Sequence, residues 1–138
     1  MSERLLKLRF PADPAELKRV RERVHDAGSR LSASDKFVAD LVIAVNEACM
    51  NIMEHAYKGD RSGEIVLEII DNDRTIEVVL TDFAAPVDLQ QIHPRPIDEL
   101  RPGGLGTFFI REIMDECAYT HLEDAGGNVL RMVKRIDD

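Results

Sequence analysis

A polar stripe runs from residue 36 to residue 58 along one side of an otherwise apolar helical segment. Glu47 and Asn51 are four residues apart, and Glu54 is seven residues from Glu47, so a helix places all three on one face. The other faces of this helix are largely apolar, which predicts that most of the helix is buried. A buried carboxylate without a partner is costly, so the stripe either faces water or lines a site. Its other members are Lys36, Asp40, Ile43 and Lys58.

Composition limits the class of protein. The chain has 138 residues, of which 44% are hydrophobic and 32% charged, with a net charge of -8. This length is enough for a real core, and we expect one domain over residues 1–138. The acidic balance, without a long basic run, argues against nonspecific binding to nucleic acid or to an anionic membrane. No apolar run approaches the ~20 residues of a membrane span.

Cysteine usage and the first residues favour a cytoplasmic protein. The two cysteines, Cys49 and Cys117, both lie in apolar segments, which predicts two buried thiols in a reducing compartment rather than a disulfide. The start of the chain leads into no signal-peptide apolar region.

Hydrophobic periodicity predicts the order strand, helix, helix, two strands, loop, helix, two strands. Pro14 follows an Asp13 cap, with Glu16 reaching back, at the first helix. A capping-box pattern at Ser32–Asp35 begins the central helix, which we expect to run to about Tyr57. Strands outnumber helices and sit in hairpins, so a layered α+β sandwich fits better than a parallel doubly wound sheet. The predicted strands are residues 4–10, 64–70, 75–81, 117–122 and 128–136, and the last helix ends near residue 116.

Two further features follow the central strands. Periodicity is lost from Asp82 to Pro102, as in a lid, a binding loop or a disordered segment. The glycine-rich turn Gly103–Thr107 then opens a helix, whose free N–H groups and positive dipole end favour phosphate. Glycines at a helix start often serve only to form a turn, so this motif alone is weak evidence for a phosphate site. Together with the helical Glu-x-x-x-Asn and the strand-ending Asp82, it supplies the parts of a Mg²⁺-ATP site.

At these residues the chain resembles the Bergerat-fold, or GHKL, ATPases, and within them the anti-sigma factor serine/threonine-protein kinases. Residues 47–57 are similar throughout to the signature Glu-Ala-x-x-Asn-x-x-Glu-His-Ala-Tyr, and residues 103–110 to Gly-Gly-Leu-Gly before an aromatic-rich helix. The resemblance spans nearly the whole chain. It implies a two-layer α/β sandwich with a mixed, mostly antiparallel sheet and helices on one face.

The resemblance also implies a role for each residue. Glu47 would be the general base, Asn51 would hold Mg²⁺, and Asp82 would accept a hydrogen bond from the adenine amino group. Catalysis would then be mostly positioning and charge stabilisation. A lid of about residues 84–102 would cover the nucleotide. The resemblance implies that further residues bind it, namely Ala84, Arg101, Gly103, Gly104, Leu105, Gly106 and Thr107.

The chain departs from the family pattern at two positions. The motif that usually reads Asp-x-Gly is Asp82-Phe83-Ala84 here, and Ala84 carries a cost if that position needs positive φ. Pro102 stands where the kinases often have an arginine, with Arg101 one residue earlier. Asn128 falls near the family's small polar residue beside adenine.

The function implied by this resemblance is an ATP-dependent serine/threonine-protein kinase that regulates transcription. It would bind a sigma factor, phosphorylate an anti-anti-sigma partner of the STAS type, and act as a homodimer without touching nucleic acid or membrane. The alternative is a non-catalytic, nucleotide-dependent protein-binding switch of the same fold. The catalytic piece of a histidine kinase ranks last, because no histidine lies in an obvious helix hairpin.

Overall fold

The computed structural model describes residues 2–84, 110–122 and 126–136. Its strands are β1 Glu3–Pro11, β2 Glu64–Asp71, β3 Thr75–Asp82, β4 Glu116–His121 and β5 Asn128–Arg135. They form one sheet in the order β1-β2-β3-β5-β4. All four pairings are antiparallel, so the expected mixed sheet is not seen in the described strands. Short connections join β2 to β3 and β4 to β5, and such connections can link only antiparallel strands.

Two long helices, α1 Leu17–Gly28 and α2 Asp35–Asn51, pack on one face of the sheet. A 3-10 turn, Pro14–Glu16, precedes α1, and the Asp13 carboxylate caps it by accepting from the Ala15 N–H at 3.0 Å. Glu16 does not reach back as expected. Its carboxylate binds Arg19 at 2.7 Å instead, because that partner lies one helical turn away.

The start and the end of α2 differ from the sequence expectation. Ser34 is the N-cap, and its hydroxyl accepts from the Phe37 N–H at 3.0 Å. Phe37, rather than Asp35, is therefore the third helical residue. At the other end the α-helix stops at Asn51, and a π-helical turn over Ile52–Ala56 completes the predicted length.

The core lies between the helices and the inner face of the sheet. Alternate residues of β1, β2 and β3 point inward, as the period of 2 predicted. A further helix ends at residue 113, with Ile110 and Met114 in the core. It ends before residue 116 because the Asp115 N–H already donates to Val133 of β5 at 2.8 Å. The fully buried large side chains are Phe10, Phe37, Leu41, Ile65, Leu67, Ile69, Ile76, Leu80, Met132, Val20, Val24 and Val45.

The two thiols have different surroundings. Cys49 is buried on α2, and burial raises its pKa to about 12. Cys117 is exposed on β4, an edge strand, so the prediction of two buried thiols is wrong for Cys117. No helix within residues 2–84, 110–122 and 126–136 is long and apolar enough to cross a membrane.

Candidate nucleotide site

Glu47 lines a cavity of about 500 Å³ beside α2. Glu112 and Ile113, at the end of the last helix, also line this cavity. The part of the stripe from Lys36 to Glu47 therefore faces a cavity and not simply open water, whereas Asn51 and Asp82 do not line this cavity. Among the described residues, the cavity is also lined by Lys36, Asp40, Ile43 and Lys134.

The two lysines of this cavity already have partners. The Lys36 Nζ lies 2.7 Å from an Asp40 carboxylate oxygen. The Lys134 Nζ donates to the Ile113 carbonyl at 3.0 Å, and lies 5.2 Å from the centroid of the Phe37 ring. Among the described residues Glu47 makes no ion pair with either lysine. Its half-buried carboxylate is thus available to accept a proton from a group that enters the cavity.

The helix changes its winding directly after Asn51, which is half-buried at the end of α2. The Tyr57 N–H donates to the Ile52 carbonyl, five residues back, at 3.0 Å. Lys58 and Gly59 then take positive φ values of 52° and 85° and end the helix. π-helical turns are rare and occur frequently at functional sites. Periodicity at 3.6 residues did not reveal this one.

The Tyr57 hydroxyl ties the end of this helix to the sheet. It donates to the Glu64 carbonyl at 2.5 Å, and accepts from the N–H groups of Glu64 at 3.2 Å and Phe83 at 2.8 Å. Burial raises the pKa of Tyr57, and the nearby Asp82 charge acts in the same direction. A Cβ on Gly63 would lie 2.3 Å from the Tyr57 ring, so Gly63 leaves room for that ring.

We expect Tyr57→Phe to lower the free energy of unfolding by about 1–3 kcal/mol. The substitution keeps the ring but leaves backbone groups of Glu64 and Phe83 without their hydroxyl partner. Urea denaturation monitored by circular dichroism measures the change. Tyr119→Phe is the matched control, since no hydrogen bond of its hydroxyl is found within the described parts of the chain. Equal effects at the two tyrosines would contradict the assigned role.

Asp82 is a buried carboxylate at the end of β3, with 1% of its surface exposed. Its Oδ1 accepts from Asn128 Nδ2 at 2.8 Å and from the Ala84 N–H at 3.1 Å. Among the described residues both hydrogen bonds end on Oδ1, which leaves Oδ2 as the acceptor for a ligand. Burial raises the pKa of Asp82, and these two hydrogen bonds oppose that shift.

Ala84 takes no positive φ, since the non-glycine residues of the described chain that do are Lys58 and Asp73. The backbone cost expected for alanine at this position is therefore absent. Ala84 instead contributes its N–H to Asp82.

Gly127 lies so close to the backbone of Asp82 that its position requires glycine. Gly127 has a φ of +113°, and a Cβ there would lie 2.3 Å from the Asp82 carbonyl oxygen. This close contact brings the start of β5 against the end of β3. Sequence reasoning did not single out Gly127, and its only signal was the Gly126-Gly127 pair before a predicted strand.

The structure brings together some predicted site residues and leaves others outside the described ranges. Asp82 and Ala84 are hydrogen-bonded to each other, and Glu47 lines the same cavity as the end of the last helix. Asn51 lies one helical turn beyond Glu47 on α2. The residues outside the described ranges are Arg101, Gly103, Gly104, Leu105, Gly106 and Thr107.

Comparison with known proteins decides the family. The sequence-family model of the histidine kinase-like ATPase domain matches residues 10–134 of this chain. The chain belongs to the histidine kinase-like ATPase domain family. Within that family it is 34% identical over 139 residues to the serine-protein kinase RsbW of Listeria monocytogenes, covering 95% of this chain and 87% of that protein. The RsbW kinase of Bacillus subtilis is 29% identical over 140 residues, covering 96% and 86%.

A solved structure supports the fold of this histidine kinase-like ATPase domain. The crystal structure of the RsbU and RsbW domains of a Mycobacterium tuberculosis protein matches with a TM-score of 0.62 at 18% identity. The match covers 95% of this chain and 32% of that one. The predicted α+β sandwich and the predicted family are therefore confirmed. The relatives also confirm the predicted enzyme class, a serine-protein kinase of the anti-sigma type, and favour it over the non-catalytic switch.

Proposed function

We propose that this chain is an ATP-dependent serine/threonine-protein kinase that binds a sigma factor and phosphorylates an anti-anti-sigma partner of the STAS type. The observation that carries the kinase assignment is the half-buried Glu47 carboxylate, which lines a cavity of about 500 Å³. Glu47 acts there as the general base that takes the proton of the acceptor hydroxyl. Phosphoryl transfer otherwise needs positioning and charge stabilisation more than covalent chemistry.

Asp82 recognises the adenine in this proposal. An exocyclic amine donates hydrogen bonds, and the Oδ2 of Asp82 accepts one. The support is the position of the carboxyl group, which is buried at the end of β3 and held through Oδ1. A carboxylate fixed in this way favours an amino group over a carbonyl at the same position of the base, because two acceptors repel each other.

The residues present fit a Mg²⁺ ion that arrives with the nucleotide. Within the described residues no group of three His, Cys, Asp or Glu side chains could hold a metal. Mg²⁺ bound with ATP does not need such a group, because phosphates and waters supply most of its oxygen ligands. Asn51 is the proposed protein ligand, since this residue lies one helical turn from Glu47 and its side chain carries an amide oxygen. When bound with the nucleotide, Mg²⁺ would supply neutralisation of the phosphate charge.

The remaining parts of the proposal rest on the family resemblance. Residues 103–107 cradle the phosphates through backbone N–H groups, and Arg101 contacts the γ-phosphate. The protein is a single domain over residues 1–138, acts in the cytoplasm and forms a homodimer. It binds neither nucleic acid nor membrane, in keeping with its net charge of -8.

Phosphate transfer tests the proposal. The purified chain is incubated with γ-labelled ATP, Mg²⁺ and each member of a panel of STAS-type proteins. We expect label on a serine or threonine of one of these proteins, no transfer in EDTA, and a higher Mg²⁺ requirement for Asn51→Ala. ATP binding without transfer to any candidate would favour the switch, and label on histidine would contradict the kinase class.

A further inference from the structure

A row of three polar residues crosses the end of the sheet. Asp82 of β3 lies directly opposite Asn128 of β5, and Asn128 lies directly opposite His121 of β4. On the other side Asp82 is paired with the buried Ile65 of β2. Side chains directly opposite each other on antiparallel strands are close enough to interact. The row therefore connects an edge-strand histidine to the buried carboxylate of the nucleotide site.

The hydrogen atoms in this row can be assigned from the chemistry of the partners. His121 Nδ1 lies 2.8 Å from the Gly127 carbonyl oxygen and 3.3 Å from Asn128 Oδ1. A carbonyl oxygen only accepts hydrogen bonds, so Nδ1 carries the hydrogen and donates. With its oxygen turned toward His121, the Asn128 amide turns its NH₂ group toward Asp82 Oδ1, at 2.8 Å.

We propose that His121 is a positioning residue for base recognition, which fixes the amide orientation of Asn128 and thereby keeps Asp82 a charged acceptor for adenine. The inference rests on the proposed function, because it assumes that Asp82 contacts the base. His121 acts through Asn128 alone and touches neither the base nor the phosphates. No sequence pattern indicated it, since its partners are 6 and 7 residues away along the chain and meet it only by strand pairing.

The reason for the effect lies in the two orientations of an amide. If Asn128 turned over, its oxygen would face the Asp82 carboxylate, and two acceptors would repel unless Asp82 took up a proton. Burial already raises the pKa of Asp82, which makes that protonated state more accessible. A neutral carboxyl accepts a weaker hydrogen bond than a carboxylate, and its O–H can donate to a carbonyl. Losing the His121 donor should therefore weaken the discrimination between an amino and a carbonyl group on the base.

The affinity ratio of ATP to ITP measures this discrimination, because inosine carries a carbonyl where adenosine carries the amino group. Isothermal titration with both Mg²⁺ nucleotides is done on the full chain and three variants. In His121→Leu the donor is gone, and we expect the ratio to fall roughly tenfold, as a charge-assisted hydrogen bond becomes a neutral one. In His121→Asn a donor remains at the same distance from Cβ, and we expect the ratio to stay within about twofold of the original.

His25→Leu is the matched control, since His25 is an exposed histidine of α1. It should leave the ratio unchanged. A fall in both affinities of His121→Leu by the same factor would assign His121 a merely structural role and overturn the inference. That outcome differs from failure of the proposed function, in which the unsubstituted chain itself fails to prefer ATP.

A second measurement needs no variant and so does not depend on whether His121→Leu folds. Long-range ¹H–¹⁵N correlation on the unsubstituted protein reports which ring nitrogen of His121 carries the hydrogen. We expect the hydrogen on Nδ1 at neutral pH. A spectrum of the Nε2–H tautomer would leave nothing to donate to Gly127 and Asn128, and would refute the inference.

Discussion

Glu47→Gln should lower the rate of phosphate transfer to the protein acceptor by about 10²–10⁴-fold, the usual contribution of a general base. Gln keeps the size of the side chain and its place on the cavity wall but cannot take a proton. The effect should appear in kcat, with ATP affinity changed by less than roughly threefold, because Glu47 is assigned to the proton of the acceptor and not to nucleotide binding. Single-turnover assays with labelled ATP separate the two.

Glu22→Gln is the matched control for this experiment. Glu22 is an exposed residue of α1, outside the cavity wall that contains Glu47. The control should transfer phosphate at the unsubstituted rate. Equal rates for Glu47→Gln and Glu22→Gln would remove Glu47 from the mechanism, while ATP binding through Asp82 would be unaffected by that result.

The α2 part of the site could be predicted because it depends on a single helix. The spacing of Glu47 and Asn51 fixes their common face wherever the helix packs, and the structure places Glu47 at a cavity. Asp82 was predicted because it ends a strand of regular alternation, so its position followed from β3 alone. Periodicity within one element was sufficient to place each of these residues, while their roles in the site remain what the family resemblance implies.

The rest of the described site depends on pairings between distant parts of the chain. Tyr57 belongs to the motif, but its hydroxyl contacts Phe83, 26 residues away, from the end of a π-helical turn that the motif did not predict. Asn128 reaches Asp82 across 46 residues, through the register of β3 and β5. Strand register follows from the whole sheet and its connections, and one sequence does not fix it.

Asp82→Asn should separate nucleotide recognition from folding. The Asn oxygen can take the place of Oδ1 and accept from Asn128 and Ala84, so both internal hydrogen bonds remain possible. Its NH₂ group then stands where Oδ2 was and meets the adenine amino group donor to donor. We expect ATP affinity to fall roughly 10–100-fold, as expected for losing a hydrogen bond to a charged group. ITP, with an acceptor at that position, should bind the variant better than ATP.

The same substitution should leave the protein at least as stable at neutral pH, because it removes a buried charge. Burial raises the pKa of Asp82 above its ordinary value, so the folded state holds this proton more tightly than the unfolded state. Linkage then requires the unfolding free energy of the original protein to rise, relative to Asp82→Asn, as pH falls through the raised pKa. Urea denaturation of both proteins at several pH values measures the difference. A relative decrease toward acid would mean that hydrogen bonding outweighs burial at Asp82, and that its carboxylate is stabilised by folding.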